Sequence, residues 1–211
     1  MKKPFENGVI QVPLYHGTTS LFVDSIKEHG LGGFNPVEEW GLVSIYRALF
    51  EVADKKFRGA SSWERHREKA SYIAYQTNSS DGLDYNFRHG NVYLTPIRKV
   101  AFDYASIDEG SELLGYLKGL ALYLIHQKEH EEVNDILPMN VASILSESYQ
   151  PVLLKLESVC LTEVEPENGM DKDCLISLWQ NFYETGAVDK GLTNWKLTKP
   201  LPWNRIELLG N

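Results

Sequence analysis

The sequence predicts a mixed α+β domain, because two regions of the chain have different apolar patterns. Apolar residues recur at helical spacing over most of the region from about Val37 to Thr77. After Pro151, short apolar and alternating runs typical of strands predominate instead. A parallel doubly wound sheet would require strands and helices to alternate along the whole chain, so that fold is not predicted.

Length and composition favour one globular domain. The chain has 211 residues, of which 43% are hydrophobic and 24% are charged. We therefore expect a single domain over 1–211, with a mainly helical insertion at about 37–90.

The longest apolar run, 113–125, is interrupted by Lys118 and is too short to span a membrane. No apolar segment follows the lysines near the N-terminus, so we expect a cytoplasmic protein without a membrane partner.

Charge, cysteines and histidines argue against several classes of function. The formal net charge of −8 disfavours non-specific, charge-driven binding to nucleic acid or anionic membranes. Cys160 and Cys174 are too few for a disulfide framework, and we expect both to be small core residues. His126 and His130 are expected four residues apart on one helix, but no third ligand accompanies them, so no metal site is predicted. No G-x-S-x-G sequence supports a hydrolase.

The first predicted unit is a strand, a polar turn and a helix. The 9–15 stretch alternates like a strand, and the His-Gly-Thr sequence at 16–18 is expected to form the turn. Thr19 and Ser20 are N-cap candidates for the helix that follows, and Gly30 lies where a C-cap is expected. The later predicted elements, in chain order, are a strand at 91–95, helices starting at 99 and spanning 111–128, a strand at 152–156, a helix at 174–183, and strands at 194–197 and 205–209.

Three segments in this order carry a resemblance to a known family. Tyr15-His16-Gly17-Thr18 is followed by a predicted helix. Tyr93 lies on a predicted strand, and Tyr104 follows eleven residues later on the next helix. A strand pair surrounds Leu201-Pro202. Together they resemble the ADP-ribosyltransferase superfamily, in its histidine-tyrosine-glutamate branch (the diphtheria-toxin and poly-ADP-ribose-polymerase type), which implies a split β-sheet core.

The resemblance implies that NAD is bound as a substrate. Gly17 would let its backbone pair with the nicotinamide carboxamide, where a side chain would clash. His16 would hydrogen-bond a ribose hydroxyl, and Thr18 or Thr19 would contact the adenosine side. The nicotinamide ring would stack on the two tyrosines, Tyr93 and Tyr104, with each aromatic pair contributing about 0.5–1.5 kcal/mol beyond burial.

The family's third catalytic position departs from the pattern. It is a glutamate at the start of a late strand, where this chain has Asn194, with no acidic residue between Gly191 and Pro202. Three interpretations stay open: Asn194 replaces the glutamate as a hydrogen-bonding group, another acidic residue fills the position, or the acceptor supplies its own base. The alternative acids are Glu157, Glu163, Glu165 and Glu184.

The implied activity is that of a NAD-dependent mono-ADP-ribosyltransferase with His16, Tyr93 and Asn194 as catalytic residues. Such an enzyme breaks the nicotinamide–ribose bond and transfers ADP-ribose to a macromolecular acceptor, either protein or nucleic acid. A bacterial or phage-type toxin with an antitoxin partner is one form of this hypothesis. The alternatives are a non-catalytic pseudoenzyme that binds NAD or ADP-ribose, and an enzyme similar to the RNA 2′-phosphotransferases.

The helical block mixes aromatic and basic side chains, and two interpretations apply to it. The first is an amphipathic helical cap with a solvated charged face. The second is an acceptor-binding or NAD-covering lid, in which Arg65 and Arg67 would contact the pyrophosphate. Mixtures of this kind can also stack on nucleic-acid bases.

Overall fold

The computed structural model describes residues 3–76, 90–107, 111–185 and 194–209. The chain divides into two compact units, one of 1–35, 91–110 and 149–211, the other of 36–90 and 111–148. We call the first the sheet unit and the second the helical unit. The fold class is α+β, as predicted. The helical unit is larger than the predicted insertion, since it also includes 111–148.

The strands are β1 (Phe5–Glu6), β2 (Val9–Ile10), β3 (Leu14–Thr19), β4 (Tyr93–Leu94), β5 (Pro151–Leu156), β6 (Val164–Pro166), β7 (Trp195–Leu197) and β8 (Ile206–Leu209). The helices are α1 (Ser20–His29), α2 (Pro36–Glu39), α3 (Leu42–Phe57), α4 (Ser61–Tyr75), α5 (Arg98–Ile107), α6 (Glu112–His126), α7 (His130–Ile136), α8 (Met139–Ser146) and α9 (Lys172–Thr185).

The sheet unit contains a two-stranded sheet of β1 and β2 and two three-stranded antiparallel sheets, with the orders β3-β5-β8 and β4-β7-β6. Within the described residues, the two three-stranded sheets meet at a single bridge between Tyr15 and Thr95. There the Tyr15 N–H donates to the Thr95 carbonyl at 2.7 Å, and the Thr95 N–H donates to the Tyr15 carbonyl at 3.0 Å. β3 therefore has β5 along one edge and, for one pair only, the end of β4 along the other.

The predicted turn at 16–18 is wrong, because these residues belong to β3 itself. Each is paired with a residue of β5, from His16 with Leu154 to Thr18 with Val152. The predicted single strand over 9–15 is also interrupted: β2 ends at Ile10, and β3 starts after Pro13, which has no N–H to donate. Both predicted caps are confirmed: Thr19 is the N-cap of α1, and Gly30, with φ of 80°, is its C-cap.

An aromatic cluster anchors β7 in the core of the sheet unit. Trp195 is fully buried, and its ring lies 5.8 Å from that of Trp179 on α9 and 6.2 Å from that of Phe5. The predicted helix at 174–183 is confirmed as α9, and the strand predicted at 194–197 is confirmed as β7. Because Trp195 is immobilised by this packing, the residue before it has a defined position at the start of β7.

The helical unit packs α3 against α4 and α6 around an apolar core, with Leu49, Ala53 and Leu117 fully buried. The sequence patterns did not predict α7 and α8. His126 ends α6 and His130 begins α7, so the prediction that both lie on one helix is wrong. No helix in the described ranges combines the length and apolar character that a membrane crossing requires.

The prediction that both cysteines fill the core is also wrong. Cys160 is only partly buried, and Cys174 is exposed near the start of α9. Both are free thiols.

Candidate functional site

The His-Gly-Thr sequence lies on a strand with one paired edge and one open edge. Along an antiparallel strand, alternate residues direct their N–H and C=O groups to opposite edges. Tyr15 directs both groups to Thr95, whereas the Ser20 N–H donates toward the β5 side, to Gln150 at 2.9 Å. Gly17 lies two positions after Tyr15 on the same strand, so its N–H and C=O point to the same edge as those of Tyr15, away from β5.

The ladder between β3 and β4 stops after one pair, and His16 explains why. Continuing the ladder from the Tyr15–Thr95 bridge would place Gly17 opposite Tyr93. Instead, Nδ1 of His16 lies 2.9 Å from the Tyr93 carbonyl oxygen, joining residues 77 positions apart in the chain. The imidazole thus takes the carbonyl that Gly17 would otherwise pair with. Within the described residues, no group pairs with the Gly17 backbone on this edge.

The tautomer of His16 follows from the same contact. A carbonyl oxygen can only accept, so Nδ1 carries the proton and donates it to Tyr93. Burial lowers the pKa of His16 below 6.5, although the hydrogen bond to Tyr93 partly opposes this by raising it. The ring is therefore neutral at neutral pH, and Nε2 has a lone pair that accepts hydrogen bonds. No described residue donates to Nε2.

Gly17 is also required by the packing of α5. A Cβ atom at Gly17 would lie 1.8 Å from the Ala101 carbonyl oxygen and 3.1 Å from the Ala105 Cβ. A side chain at this position would therefore clash with the protein itself, and not only with a ligand. The glycine is needed because helix α5 lies directly on the strand.

Tyr93 and Gly17 lie on the same face of the sheet. The bridged residues Tyr15 and Thr95 share a face, and residues two positions along each strand return to it. This is the face covered by α5, because the missing Cβ of Gly17 would point at Ala101. Gly17, which packs on helix α5, and the Tyr93 side chain therefore share one face of the sheet, although they are far apart in the sequence.

Tyr104 lies on the same helix but at its surface. Ala101 and Ala105 are buried against the sheet, whereas Tyr104 is 40% exposed. Thr18 is different, because its side chain is only 2% exposed. The structure therefore places Tyr104 where a ligand could reach it, and Thr18 inside the core.

Asn194 lies beside β4, immediately before β7. Trp195 pairs with Leu94 on one side and with Pro166 on the other. Asn194 Nδ2 donates to Oε2 of Glu167 at 2.8 Å, and the Glu167 N–H donates to the Asn194 carbonyl at 3.2 Å. Glu167 was missing from the predicted acids, since only the register of β6 against β7 brings it to Asn194.

Three of the four alternative acids are held by other partners. Glu163 is 7% exposed and accepts from Arg205 at 2.8 and 3.1 Å and from the Cys160 N–H at 2.9 Å. The hydrogen bonds from Arg205 lower the pKa of Glu163 to about 2, against the opposing effect of burial. The other three are exposed: Glu157 pairs with Lys155, Glu165 pairs with Lys196, and Glu184 lies near the end of α9.

The arginines proposed for the pyrophosphate have partners in their own unit. Arg67 is paired with the buried carboxylate of Asp54, and Arg65 Nε donates to the Ser61 carbonyl of its own helix at 3.3 Å. Arg98 is exposed at the start of α5. In the part of the chain that the structure describes, no three His, Cys, Asp or Glu side chains are grouped to hold a metal ion.

Comparison of the chain with family models, curated proteins and solved structures gave no match.

Proposed function

We propose that the open edge of β3 binds NAD and that the protein is a NAD-dependent mono-ADP-ribosyltransferase. The observation that carries the proposal is the His16–Tyr93 hydrogen bond. It brings the His-Gly-Thr strand and the tyrosine strand together and, among the described residues, leaves the Gly17 backbone without a partner on that edge. The specific split-sheet fold of the family is part of the proposal, as are the cytoplasmic setting, the toxin role and the antitoxin.

The unpaired backbone of Gly17 complements the nicotinamide carboxamide. That group has one carbonyl acceptor and one NH₂ donor, and Gly17 offers one N–H and one C=O on the same edge. Each such hydrogen bond contributes about 0.5–1.5 kcal/mol net. The nicotinamide would thereby complete the ladder that His16 interrupts.

The neighbouring side chains supply the other contacts. Nε2 of His16, fixed as an acceptor, would take the hydrogen of a ribose hydroxyl. Tyr93 and the exposed Tyr104 would contact the nicotinamide ring from the sheet and from α5 respectively. Thr18 has no part in this arrangement, because its side chain is buried.

The reaction requires little acid–base chemistry from the protein. The bond between the nicotinamide nitrogen and the ribose C1′ breaks, and its electron pair neutralises the positive charge of the nicotinamide nitrogen. A nucleophilic group of the acceptor forms the new bond at C1′ and releases its proton to solvent. The contribution of the site is to hold NAD and to place dipoles around the cationic sugar of the transition state.

A second candidate function is a pseudoenzyme that binds NAD without cleaving it. The observation that favours it is the amide of Asn194 at the start of β7, where the family has a charged glutamate. An amide supplies a hydrogen-bond acceptor but no full negative charge for the cationic sugar.

The test begins with NAD binding, measured by calorimetry and thermal unfolding. NAD at one hundred times its Kd stabilises the folded state by about 2.7 kcal/mol, which a thermal shift detects. We expect His16→Ala to weaken binding at least about tenfold, because it removes an acceptor and frees the Tyr93 carbonyl to pair with Gly17. His126→Ala, at the exposed end of α6, is the matched control and should not change NAD affinity.

Transfer is then measured with NAD labelled in its adenylate part and a cell lysate. Release of nicotinamide together with label that protease removes indicates a protein acceptor, and label that nuclease removes indicates nucleic acid. NAD binding without nicotinamide release supports the pseudoenzyme. An absence of both binding and thermal shift would overturn the proposal.

A further inference from the structure

We propose that Glu167 is a positioning residue that orients the Asn194 carboxamide so that its Oδ1 accepts a hydrogen bond from a ribose hydroxyl of NAD. This inference rests on the proposed function. In this arrangement a carboxylate that follows β6 and an amide at the start of β7 together replace a single carboxylate at the start of β7.

The orientation of the amide follows from the chemistry of its partner. An ionised carboxylate only accepts hydrogen bonds, so the group that faces Glu167 Oε2 at 2.8 Å is the NH₂ of Asn194. Oδ1 is on the opposite branch of the same planar group and is turned away from Glu167. Without this contact, rotation by about 180° would exchange donor and acceptor at little cost, as for any exposed amide.

The pair is held rigidly from both sides. Besides the side-chain contact, the Glu167 N–H donates to the Asn194 carbonyl at 3.2 Å. The next residue, Trp195, is fully buried and paired with both β4 and β6. Asn194 therefore presents its amide from a fixed backbone position, which preorganised recognition requires.

Oδ1 of Asn194 is available for a ligand. No donor to this oxygen is present in ranges 3–76, 90–107, 111–185 and 194–209. The hydrogen bond to a carboxylate polarises the amide and makes Oδ1 a stronger acceptor, since linked hydrogen bonds reinforce one another. The site would thus keep a hydrogen-bond acceptor, Asn194 Oδ1, where the family has its glutamate. The negative charge would lie behind it, on the neighbouring carboxylate of Glu167.

The displaced charge leads to a specific kinetic expectation. Coulomb stabilisation falls with distance, so a carboxylate behind an amide stabilises the cationic sugar less than one in direct contact. The pair should therefore act mainly on kcat for nicotinamide release, and less on KM for NAD.

The experiment exchanges the carboxylate of Glu167 and the amide of Asn194, first singly and then together. The rate of nicotinamide release is measured at several pH values. Glu167→Gln should lower kcat about tenfold and change KM little, because glutamine no longer selects one orientation of the amide. Asn194→Asp should lower kcat at neutral pH, because two carboxylates then face each other, and the loss should diminish as pH falls. In the double variant N194D/E167Q the introduced glutamine amide donates to the introduced carboxylate, which should restore kcat to the wild-type value or above.

Glu165→Gln is the matched control, because Glu165 is two residues earlier and its partner is Lys196 at 2.5 Å. It should leave kcat unchanged. The proposal is overturned if Glu167→Gln behaves like Glu165→Gln, or if the double variant is no more active than Asn194→Asp. A purely structural role of Glu167 would lower the Tm of the variant without rescue of kcat by the swap.

Failure of the proposed function gives a different result. In that case the wild-type protein itself neither binds NAD nor releases nicotinamide. If the wild type binds NAD without cleaving it, the same variants are compared by NAD affinity. Then Glu167→Gln should weaken binding and the double variant should restore it, whereas unchanged affinity in both variants would overturn the inference.

Discussion

The two units of this protein use their polar groups differently. In the helical unit, the buried carboxylate of Asp54 accepts hydrogen bonds from Arg67 and Arg58, and from Trp63 Nε1 at 3.2 Å. Burial alone would raise the pKa of Asp54, but these hydrogen bonds hold it well below its usual range. The cluster is closed around its acceptor, because three donors of the same unit occupy the Asp54 carboxylate.

In the sheet unit, the corresponding groups are held in place but left with capacity for a ligand. His16 uses Nδ1 on Tyr93, and Asn194 uses Nδ2 on Glu167. The opposite ends of both groups, and the backbone edge of Gly17, have no partner among the described residues. The difference teaches that enrichment in polar residues does not indicate a site by itself. A site needs polar atoms that the fold positions without satisfying.

The basic and aromatic residues of the helical unit illustrate the same point. Arg47 lies 5.6 Å from the Tyr75 ring, and Lys69 lies 4.6 Å from the Tyr116 ring. These cation–π contacts, together with the Asp54 cluster, occupy many of the groups that suggested a nucleic-acid surface. The structure therefore favours the interpretation of this block as amphipathic helices with a charged outer face.

The largest expected effect is that of Gly17→Ala, which tests whether the open edge depends on α5. The new Cβ would lie 1.8 Å from a backbone oxygen, which cannot rotate away as a side chain could. We expect a loss of at least about 3 kcal/mol in the free energy of unfolding, measured with denaturant. Gly115→Ala is the control: nothing lies within 4 Å of its Cβ, so this helix position should gain about 0.5–1 kcal/mol. Equal stability of the two variants would contradict the packing.

A smaller effect is expected for Asp54→Asn, which breaks the closed cluster. The change removes the charge that Arg67 and Arg58 bind, but both guanidinium groups are partly exposed, so we expect a cost of about 2–3 kcal/mol from the weakened charged hydrogen bonds. At a temperature where the variant is folded, NAD affinity should not change. Arg65 is exposed and donates to the Ser61 carbonyl of its own helix, so Arg65→Ala should cost less than about 0.5 kcal/mol. A loss of NAD affinity in Asp54→Asn would show that the comparison between the units is wrong.

Local patterns in the sequence predicted much of the fold. The caps of α1 at Thr19 and Gly30 and the presence of helix α9 depend on nearby residues, so they could be predicted. The extension of β3 through Gly17 could not, because glycine signals a turn in the sequence while pairing with β5 makes it a strand. α7 and α8 were missed because each is short and has few buried residues.

The residues of the candidate site could be predicted in part, but the contacts between them could not. His16, Gly17 and Tyr93 were identified, but the bond between His16 and the Tyr93 carbonyl spans 77 residues and leaves no local pattern. Glu167 was missed because its pairing with Asn194 depends on the register of two short strands. Non-local register is the information that a single sequence does not contain.

Glu163 provides a pH-dependent test within the sheet unit. Its pKa of about 2 in the folded protein lies below the ordinary value of 4.5, so its contribution to stability is fully present above about pH 4.5 and is lost as pH falls toward 2. Because hydrogen bonds to a charged group contribute about 1.5–3 kcal/mol, we expect Glu163→Gln to cost about 2 kcal/mol at pH 7. The variant should also show a shallower fall in the free energy of unfolding between pH 4.5 and 2. An unchanged slope would mean that another carboxylate causes the acid sensitivity.

The smallest effect on stability, and the sharpest test of the open edge, concerns two exposed aromatics on α5. Phe102 is 38% exposed and Tyr104 is 40% exposed, but two positions on a helix differ by about 200°, so they point to different sides. Either change to alanine should cost less than about 1 kcal/mol of stability. Tyr104→Ala should weaken NAD binding by about 0.5–1.5 kcal/mol, the value of an aromatic stacking contact, and Tyr104→Phe should retain it. Phe102→Ala should bind NAD like the wild type. If both alanine variants weaken binding equally, the effect comes from the helix as a whole, and nicotinamide does not stack on Tyr104.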